Sequence, residues 1–342
     1  MGLCAFAGLM SITGLLFVTK GIRPGKGNFN RMVPPHSLLY QNDIKLPGKN
    51  YYFAGSTNEG FFLAVKNKPN ELVFISRGLT NLKKQSLLFP GQTALFSPEL
   101  AVTADSSVFV FDGTLPGIWS TRLPDSLLVF NAAASINFRK ALPSNEGKIL
   151  LQQFDTVTKK ILFNQYKLST GKRLEASFVP EAMGDPVFSV DGNIITDPVS
   201  GKMVFLYFYR NRFDVLDSNY QLQLKGQTID TVSHPSLVVS SFGSRRILSA
   251  PPLIVNKAGA IEGDRLYIMA GSVSKNDPPG IMKDAAVIDV YRLSTGAYLQ
   301  SLYAYDFRDQ KLSAFSVKGD TLTGIFGNYL ARFTIQRVRS DR

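Results

Sequence analysis

The sequence predicts an all-β protein, a six-bladed β-propeller preceded by one N-terminal transmembrane helix. Three observations predict it. An uncharged apolar run opens the chain. From about residue 40 onward, short runs rich in Val, Ile, Phe, Tyr and Leu alternate with turn residues. Six of those runs are introduced by a Gly or an Asp-bearing turn at regular intervals. With 342 residues, 44% hydrophobic and only 19% charged, the chain can bury a large core and is not compositionally disordered.

Met1 to Thr19 carries no charged side chain. At about 1.5 Å of helix rise per residue, this run just crosses the hydrocarbon core of a bilayer. A buried helix would need helical neighbours, and the sequence offers none. A cleaved signal peptide would need small residues before the cut, which Val18, Thr19 and Lys20 do not supply. Cys4 has no apolar stretch ahead of it to mark a lipidation site and reads as a small apolar residue of an uncleaved anchor. Lys20, Arg23, Lys26 and Arg31 follow the run, so the positive-inside rule would leave the body in the cytoplasm.

The body reads as strands: Tyr51–Ala54, Phe61–Lys66, Leu72–Ser76, Val108–Phe111, Ile149–Phe154, Met203–Tyr209 and Ala286–Tyr291 among them. Tyr166-Lys-Leu-Ser-Thr-Gly171-Lys-Arg-Leu174 matches Tyr291-Arg-Leu-Ser-Thr-Gly296-Ala-Tyr-Leu299 almost position for position, each a strand, a Ser-Thr-Gly turn and a second strand. Strand-leading turns fall at Gly60, Asp105, Gly147, Gly201, Gly263 and Gly319, at intervals of 45, 42, 54, 62 and 56 residues. Four antiparallel strands with their turns take roughly 40 to 55 residues, so six phases mean six blades.

The ends fit a closed ring. Leu312–Val317, Thr321–Phe326 and Tyr329–Ile335 supply three C-terminal strands, and Leu39–Leu46 is a spare N-terminal one that would complete the last blade and remove its edge. The organisation that follows is an anchor over 1–19, a linker over 20–38, a propeller over 39–337 and a basic tail over 338–342. The longest interval, Gly201 to Gly263, and an insertion at Ser272–Lys283 predict long loops, which on a propeller share one face and bind ligands there.

The layout of Gly263-Asp-Arg-Leu-Tyr-Ile followed by Ala286-Val-Ile-Asp-Val-Tyr-Arg-Leu-Ser-Thr-Gly296 resembles blades of six-bladed TolB-like propellers. Several segments taken in order resemble an uncharacterised family of membrane-anchored propeller proteins of Gram-negative bacteria. They are Phe29-Asn30-Arg31, Pro34-Pro35-His36, Tyr51-Tyr-Phe-Ala-Gly55, Tyr207-Phe-Tyr-Arg-Asn211, Gly226-Gln-Thr-Ile-Asp-Thr231 and Ala250-Pro-Pro-Leu-Ile-Val-Asn-Lys257. The resemblance covers about residues 20 to 335. It implies an inner-membrane protein with a periplasmic body, and a small redox-associated inner-membrane protein of the methylamine-utilisation type as partner. The two topology arguments disagree, and both orientations stay open at this level. The resemblance implies no catalytic residue.

Motifs for chemistry are sparse. The sequence has no HExxH, GxSxG or GxxxxGK[ST] pattern. One Cys and two His rule out a disulfide framework and a Cys- or His-rich metal centre. Ser189-Val-Asp-Gly-Asn193 matches a sialidase-type Asp box except for its aromatic, occurs once, and reads as an Asp-Gly hairpin turn. His234 lies too close in sequence to Asp230 and Ser233 for a triad, and His36 falls in the linker. Asp185, Asp191, Asp197, Asp214, Asp217 and Asp230 read as turn residues, and Asp289, inside an apolar strand, as a structural acid; no cofactor is predicted, and calcium held by such carboxylates is compatible with the sequence. No haem attachment motif is present.

The most suggestive group is cationic. Tyr209-Arg210-Asn211-Arg212 reads as a hairpin turn, Arg245-Arg246 as another, and Asn256-Lys257 as the end of an apolar Pro-Pro-Leu-Ile-Val strand. On one face, Arg210, Arg212, Arg245, Arg246 and Lys257 would form a basic mouth for an anionic peptide, glycan or lipid headgroup. The net charge of +12 is scattered and sits in no nucleic-acid module. These features predict a non-enzymatic ligand- or partner-binding module held at the membrane by residues 1–19. The alternative is a propeller hydrolase or lyase acting on a sugar or lactone with calcium in its channel.

Overall fold

The computed structural model describes residues 27–91, 94–131, 137–143, 147–174, 178–197, 201–243 and 245–337. The predicted anchor, Lys20, Arg23, Lys26 and the basic tail lie outside the described residues. Among the described residues, no helix is long and apolar enough to cross a membrane.

Six four-stranded antiparallel sheets form a ring. Blade 1 holds β2 (Tyr51–Ser56), β3 (Gly60–Val65), β4 (Lys68–Ser76) and β5 (Leu82–Ser86). Blade 2 holds β6 (Pro98–Val102), β7 (Ser107–Asp112), β8 (Gly117–Arg122) and β9 (Val129–Asn131). Blade 3 holds β10 (Lys140–Pro143), β11 (Lys148–Asp155), β12 (Lys160–Lys167) and β13 (Lys172–Leu174). Blade 4 holds β14 (Gly192–Thr196), β15 (Met203–Tyr207), β16 (Arg212–Leu216) and β17 (Leu222–Gln227). A separate hairpin follows, β18 (Val239–Phe242) with β19 (Arg245–Leu248). Blade 5 holds β20 (Asn256–Glu262), β21 (Arg265–Ala270), a one-turn helix α1 (Ile281–Asp284), β22 (Ala285–Arg292) and β23 (Tyr298–Tyr305).

Blade 6 is assembled from both ends of the chain. β24 (Leu312–Lys318), β25 (Thr321–Phe326) and β26 (Tyr329–Ile335) are completed by β1 (Leu38–Lys45), which pairs with β26 from Leu38↔Ile335 to Lys45↔Tyr329. The predicted closing strand is therefore in place, one residue out at each end. All six predicted phases lead into the second strand of a blade, and the two Ser-Thr-Gly segments are third-to-fourth-strand turns of blades 3 and 5. Gly171 and Gly296, at φ 63° and 74°, donate their amides to Lys167 O (2.9 Å) and Arg292 O (2.8 Å).

The period-two side chains of each blade divide between two neighbours, so most of the core lies in six layers between blades, and a small further cluster joins Ala270, Ile281, Ala285 and Val287 of blade 5. In β15, Val204 and Leu206 face blade 5, whereas Met203, Phe205 and Tyr207 join Leu150, Ile161 and Phe163 of blade 3. Phe62, Leu72, Val108 and Trp119 fill the layer between blades 1 and 2, and Phe109, Ile118, Ile149 and Leu151 the next. Tyr267, Ile288, Leu322 and Phe326 fill the layer between blades 5 and 6. Ile325 and Leu330 of blade 6 pack with Phe61, Leu63 and Ile75 of blade 1, so apolar burial as well as hydrogen bonding seals the ring. Each such aromatic or Leu contributes about 1.5–3 kcal/mol on burial.

Strand direction defines two faces. On the turn face, the innermost strands β2, β6, β10, β14, β20 and β24 end and turn into the second strands. On the loop face they begin, and the blade-to-blade connections and second-to-third-strand loops lie there. The long connection from β17 to β20 and the 271–284 loop both build up this loop face around blades 4 and 5.

Candidate binding face

The N-terminal segment before β1 docks along the outer side of blade 5. Gly27 N donates to Val273 O (2.7 Å), Lys275 N to Phe29 O (2.9 Å), and Ser301 N to Met32 O (2.7 Å). Arg31, read from sequence as a linker charge, is buried. Its Nε and Nη2 bond Asp289 Oδ1 and Oδ2 at 2.8 and 3.1 Å, and its Nη1 bonds Asp277 Oδ2 at 2.5 Å and Ser272 O at 3.2 Å. Burial alone would raise the Asp277 carboxyl, but the Ser274 amide, the Arg31 guanidinium and the Tyr303 hydroxyl more than offset it and hold it below its ordinary value. Asp289 is thus a structural acid, as its apolar strand predicts, and also accepts from Ser301 Oγ at 2.5 Å.

The predicted basic residues fall on the loop face of blade 4 and the start of blade 5. Phe208 to Asn211 connect β15 to β16. Asn256, buried at the start of β20, donates Nδ2 to Tyr207 O (2.7 Å) and Arg210 O (2.9 Å), which locks that turn to blade 5. Arg210 is only 1% exposed. Its guanidinium lies 4.0 Å over the Tyr207 ring, and Nη2 donates to Glu181 O at 2.5 Å. Its Nε and Nη1 meet no acceptor among the described residues.

Arg212 Nε bonds Asp214 Oδ1 at 2.9 Å and its Nη2 bonds Glu181 Oε2 at 3.3 Å. Burial alone would lower this guanidinium, but Asp214 more than offsets it and holds it above its ordinary value. Glu181, held below its ordinary value by Lys225 and Arg212, also receives Lys225 Nζ at 3.1 Å. Arg246 forms an ion pair with Asp185. Arg245 stands opposite Phe242 in the β18–β19 ladder. Lys257 reaches solvent from β20, where lost hydration and then the neighbouring Lys311 ammonium lower its pKa.

Three of the five residues, Arg210, Arg212 and Arg246, are therefore already held by internal bonds to Glu181 and Asp185. Sequence reasoning missed their acidic partners because Glu181 and Asp185 lie in an irregular connection, in which no helix or strand period marks them. Two smaller readings also change. Asp191 is not a hairpin-turn residue: it leads into inner strand β14 and pairs with Arg139 at 2.6 Å. Pro251 to Ile254 form a connection rather than a strand, so Lys257 begins β20 instead of following a strand. Asp230 accepts from Val232 N (2.7 Å) and from Ser272 Oγ, and not from His234, whose Nδ1 lies 2.9 Å from Ser233 Oγ.

At the turn face the inner strands surround a cavity of about 640 Å³, lined among others by Ser56, Thr103, Asn193, Asp197, Tyr220 and Glu262. Glu262 is already engaged, by Lys318 Nζ at 3.4 Å and the Gly319 amide at 2.9 Å. Among the described residues, no three His, Cys, Asp or Glu side chains gather in a group that could hold a metal ion. At the loop-face end of the channel, Lys140 donates to Gly192 O (2.7 Å) and lies 5.6 Å over the Phe208 ring; burial lowers its ammonium.

Fold and faces together define a closed six-bladed β-propeller with one built-up face. No protein-family model matches the sequence, and no curated protein matches it. Among solved structures it is similar to a member of the DUF4221 family from Bacteroides vulgatus, with 12% identity and a TM-score of 0.55 over 88% of this chain and 98% of that one. It is also similar to YCF48 bound to D1 peptide, with 9% identity and a TM-score of 0.50 over 89% and 99% of the two chains. These likenesses span nearly the whole ring and concern the fold.

Proposed function

We propose that the chain is a membrane-anchored, TolB-like propeller that acts as a non-enzymatic binding or assembly module. Its loop face would hold a partner or an anionic ligand beside an inner-membrane protein, with the body in the periplasm and a small redox-associated membrane protein as the expected partner. The observation that carries this reading is the concentration of elaboration on one face. The long connection, the 271–284 loop, the N-terminal segment and the five predicted cations all gather at blades 4 and 5, on a rigid ring that holds them in fixed relation. The channel supports the hydrolase alternative less well, since among the described residues Asp197 and Glu262 do not stand together with a third acid.

Affinity purification of the full chain in mild detergent, set against a form lacking residues 1–19, tests this. A stoichiometric membrane partner retained chiefly by the anchored form is the expected outcome. A pure protein that emerges alone and retains calcium or a small molecule overturns the assembly reading and moves attention to the channel acids.

A further inference from the structure

The connection between blades 4 and 5 is unlike the rest of the molecule. Asp230 and Val255 are buried, but among the described residues between them not one is buried. Yet this stretch holds Leu237, Val238, Val239, Ile247, Leu248, Leu253 and Ile254. Among the described residues, β18 and β19 pair only with each other. The insertion is fixed to the body at its feet, by Asn211 N to Val232 O (2.7 Å) and Val255 N to Phe208 O (2.7 Å), and at its side by the Arg246–Asp185 ion pair. A lone two-stranded hairpin is marginal in water and needs a third layer against one of its faces.

The register says which face lacks that layer. Ser240 stands opposite Ile247, which places Val238 and Ile247 on one side, and Ser241 opposite Arg246 places Val239, Leu248 and Arg246 on the other. Arg246 turns the second side toward Asp185 and the body. The first side points away, with Val238 57% and Ile247 51% exposed, and Ile254 follows at 43%.

Charge and geometry choose the occupant. From Thr231 to Ile261 the chain contains Arg245, Lys257 and the Asp185-paired Arg246, and not one carboxylate. The insertion is joined to the 271–284 loop by the Ser272–Asp230 bond, and that same loop receives Gly27, the first described residue. Only residues 20–26, with three further cations, separate Gly27 from the apolar run ending at Thr19. Extended at about 3.5 Å per residue, those seven residues reach no farther than about 25 Å. If the run is in a bilayer, the loop face at blades 4 and 5 is held close to the lipid surface, and an apolar hairpin flanked by cations suits an anionic interface.

We propose that the β18–β19 hairpin is a second membrane contact: Val238, Ile247 and Ile254 enter the headgroup boundary of an anionic bilayer, and the propeller lies with its loop face toward the membrane. This rests on the anchored reading of residues 1–19. The test uses the full chain reconstituted into vesicles of phosphatidylglycerol and phosphatidylcholine with brominated acyl chains, which quench nearby tryptophan. Ile247→Trp is compared with Leu222→Trp, an exposed position on the turn face; the native Trp119 is buried and serves as a common background. Ile247→Trp should lose emission on bromination and shift to the blue, and Leu222→Trp should change in neither respect. Equal quenching in phosphatidylcholine alone overturns the anionic assignment. Vesicles that float with the protein but leave Ile247→Trp unquenched overturn the proposal, spare the anchor and leave the hairpin to a protein partner. A chain that does not float with vesicles overturns both.

Discussion

Arg31 shows how much one side chain can decide. Its guanidinium meets Asp277 and Asp289, 246 and 258 residues later in the chain, with almost no contact with water. Removing one member of a buried ion cluster leaves the others uncompensated, at a typical cost of about 3–5 kcal/mol. Arg31→Ala should therefore lower stability by about that amount in urea unfolding, whereas Arg31→Lys, which keeps the charge but loses the two-pronged bond to Asp289, should fall between the two. The same cluster sets a pH dependence. Because the Asp277 carboxyl titrates below its unfolded value, the unfolded chain binds the proton first. Its contribution is thus present above the unfolded value near pH 4 and is lost as pH falls through the folded one. Amide exchange over residues 27–37 should accelerate in acid, below about pH 4, before the ring itself opens; simultaneous loss of protection in both would exclude a separate clamp. Of this cluster the sequence shows only Asp289, as an acid inside an apolar strand. Arg31 looks like one more cation after an apolar run, and no local pattern announces partners that far away.

At the scale of elements, reading went furthest where the same problem is solved six times. Each blade must reverse direction after its inner strand, so a turn residue recurs at blade intervals even though the strands share little sequence. The solutions nevertheless differ. Gly147, Gly201, Gly263 and Gly319 adopt φ of 57–68°, whereas in blade 2 it is Ser106 that adopts φ 65°, beside an Asp105 carboxylate bonded by Thr103 and Ser107. Gly60 has a different task, since a Cβ there would stand 2.1 Å from Ile75 O. Packing of inner strands imposes a similar demand at Gly55, where a Cβ would lie 2.0 Å from Val102 O of the next blade. Gly55→Ala must push β2 away from β6 and should destabilise the protein by about 1–3 kcal/mol, while Ala at solvent-facing Gly91 meets no neighbouring atom and carries only the strain of its φ. Thermal unfolding of the two variants distinguishes packing from backbone strain. The basic turn at Arg210 was legible as a turn but not as a buried one. Charge alone cannot tell a guanidinium that faces solvent from one lying on Tyr207, because the difference is made by Asn256 and Glu181 on other elements.

For the whole molecule, the decisive contact is between the two ends of the ring. β1 waits for β26, some 290 residues later, so the last blade forms only after the rest of the chain has been made, a slow, non-local step. Deleting the chain through Leu46 should leave β26 as an open edge and strip Ile44 and Leu46 from the layer shared with blade 1, whereas deletion through Gly27 should leave the ring closed. Size-exclusion chromatography should show association of the first variant and a monomeric elution volume for the second. Ring number and closure were readable because repetition and a missing fourth strand are properties of the chain order. The binding face was readable only in outline, as an excess of loop length, since which of its cations are spent internally depends on contacts between blades.

The docked segment before β1 also has a mechanical meaning. A load applied through residues 1–26 would reach Gly27 on the loop face, whereas Leu38, where β1 begins, lies at the opposite face. Without the bonds at Phe29, Arg31 and Met32, that pull would turn back over β1 and peel it from β26 one pair at a time. With them, the force is absorbed in the middle of blade 5, a sheet whose four strands are continuous in sequence, and the seam of the ring is relieved of tension.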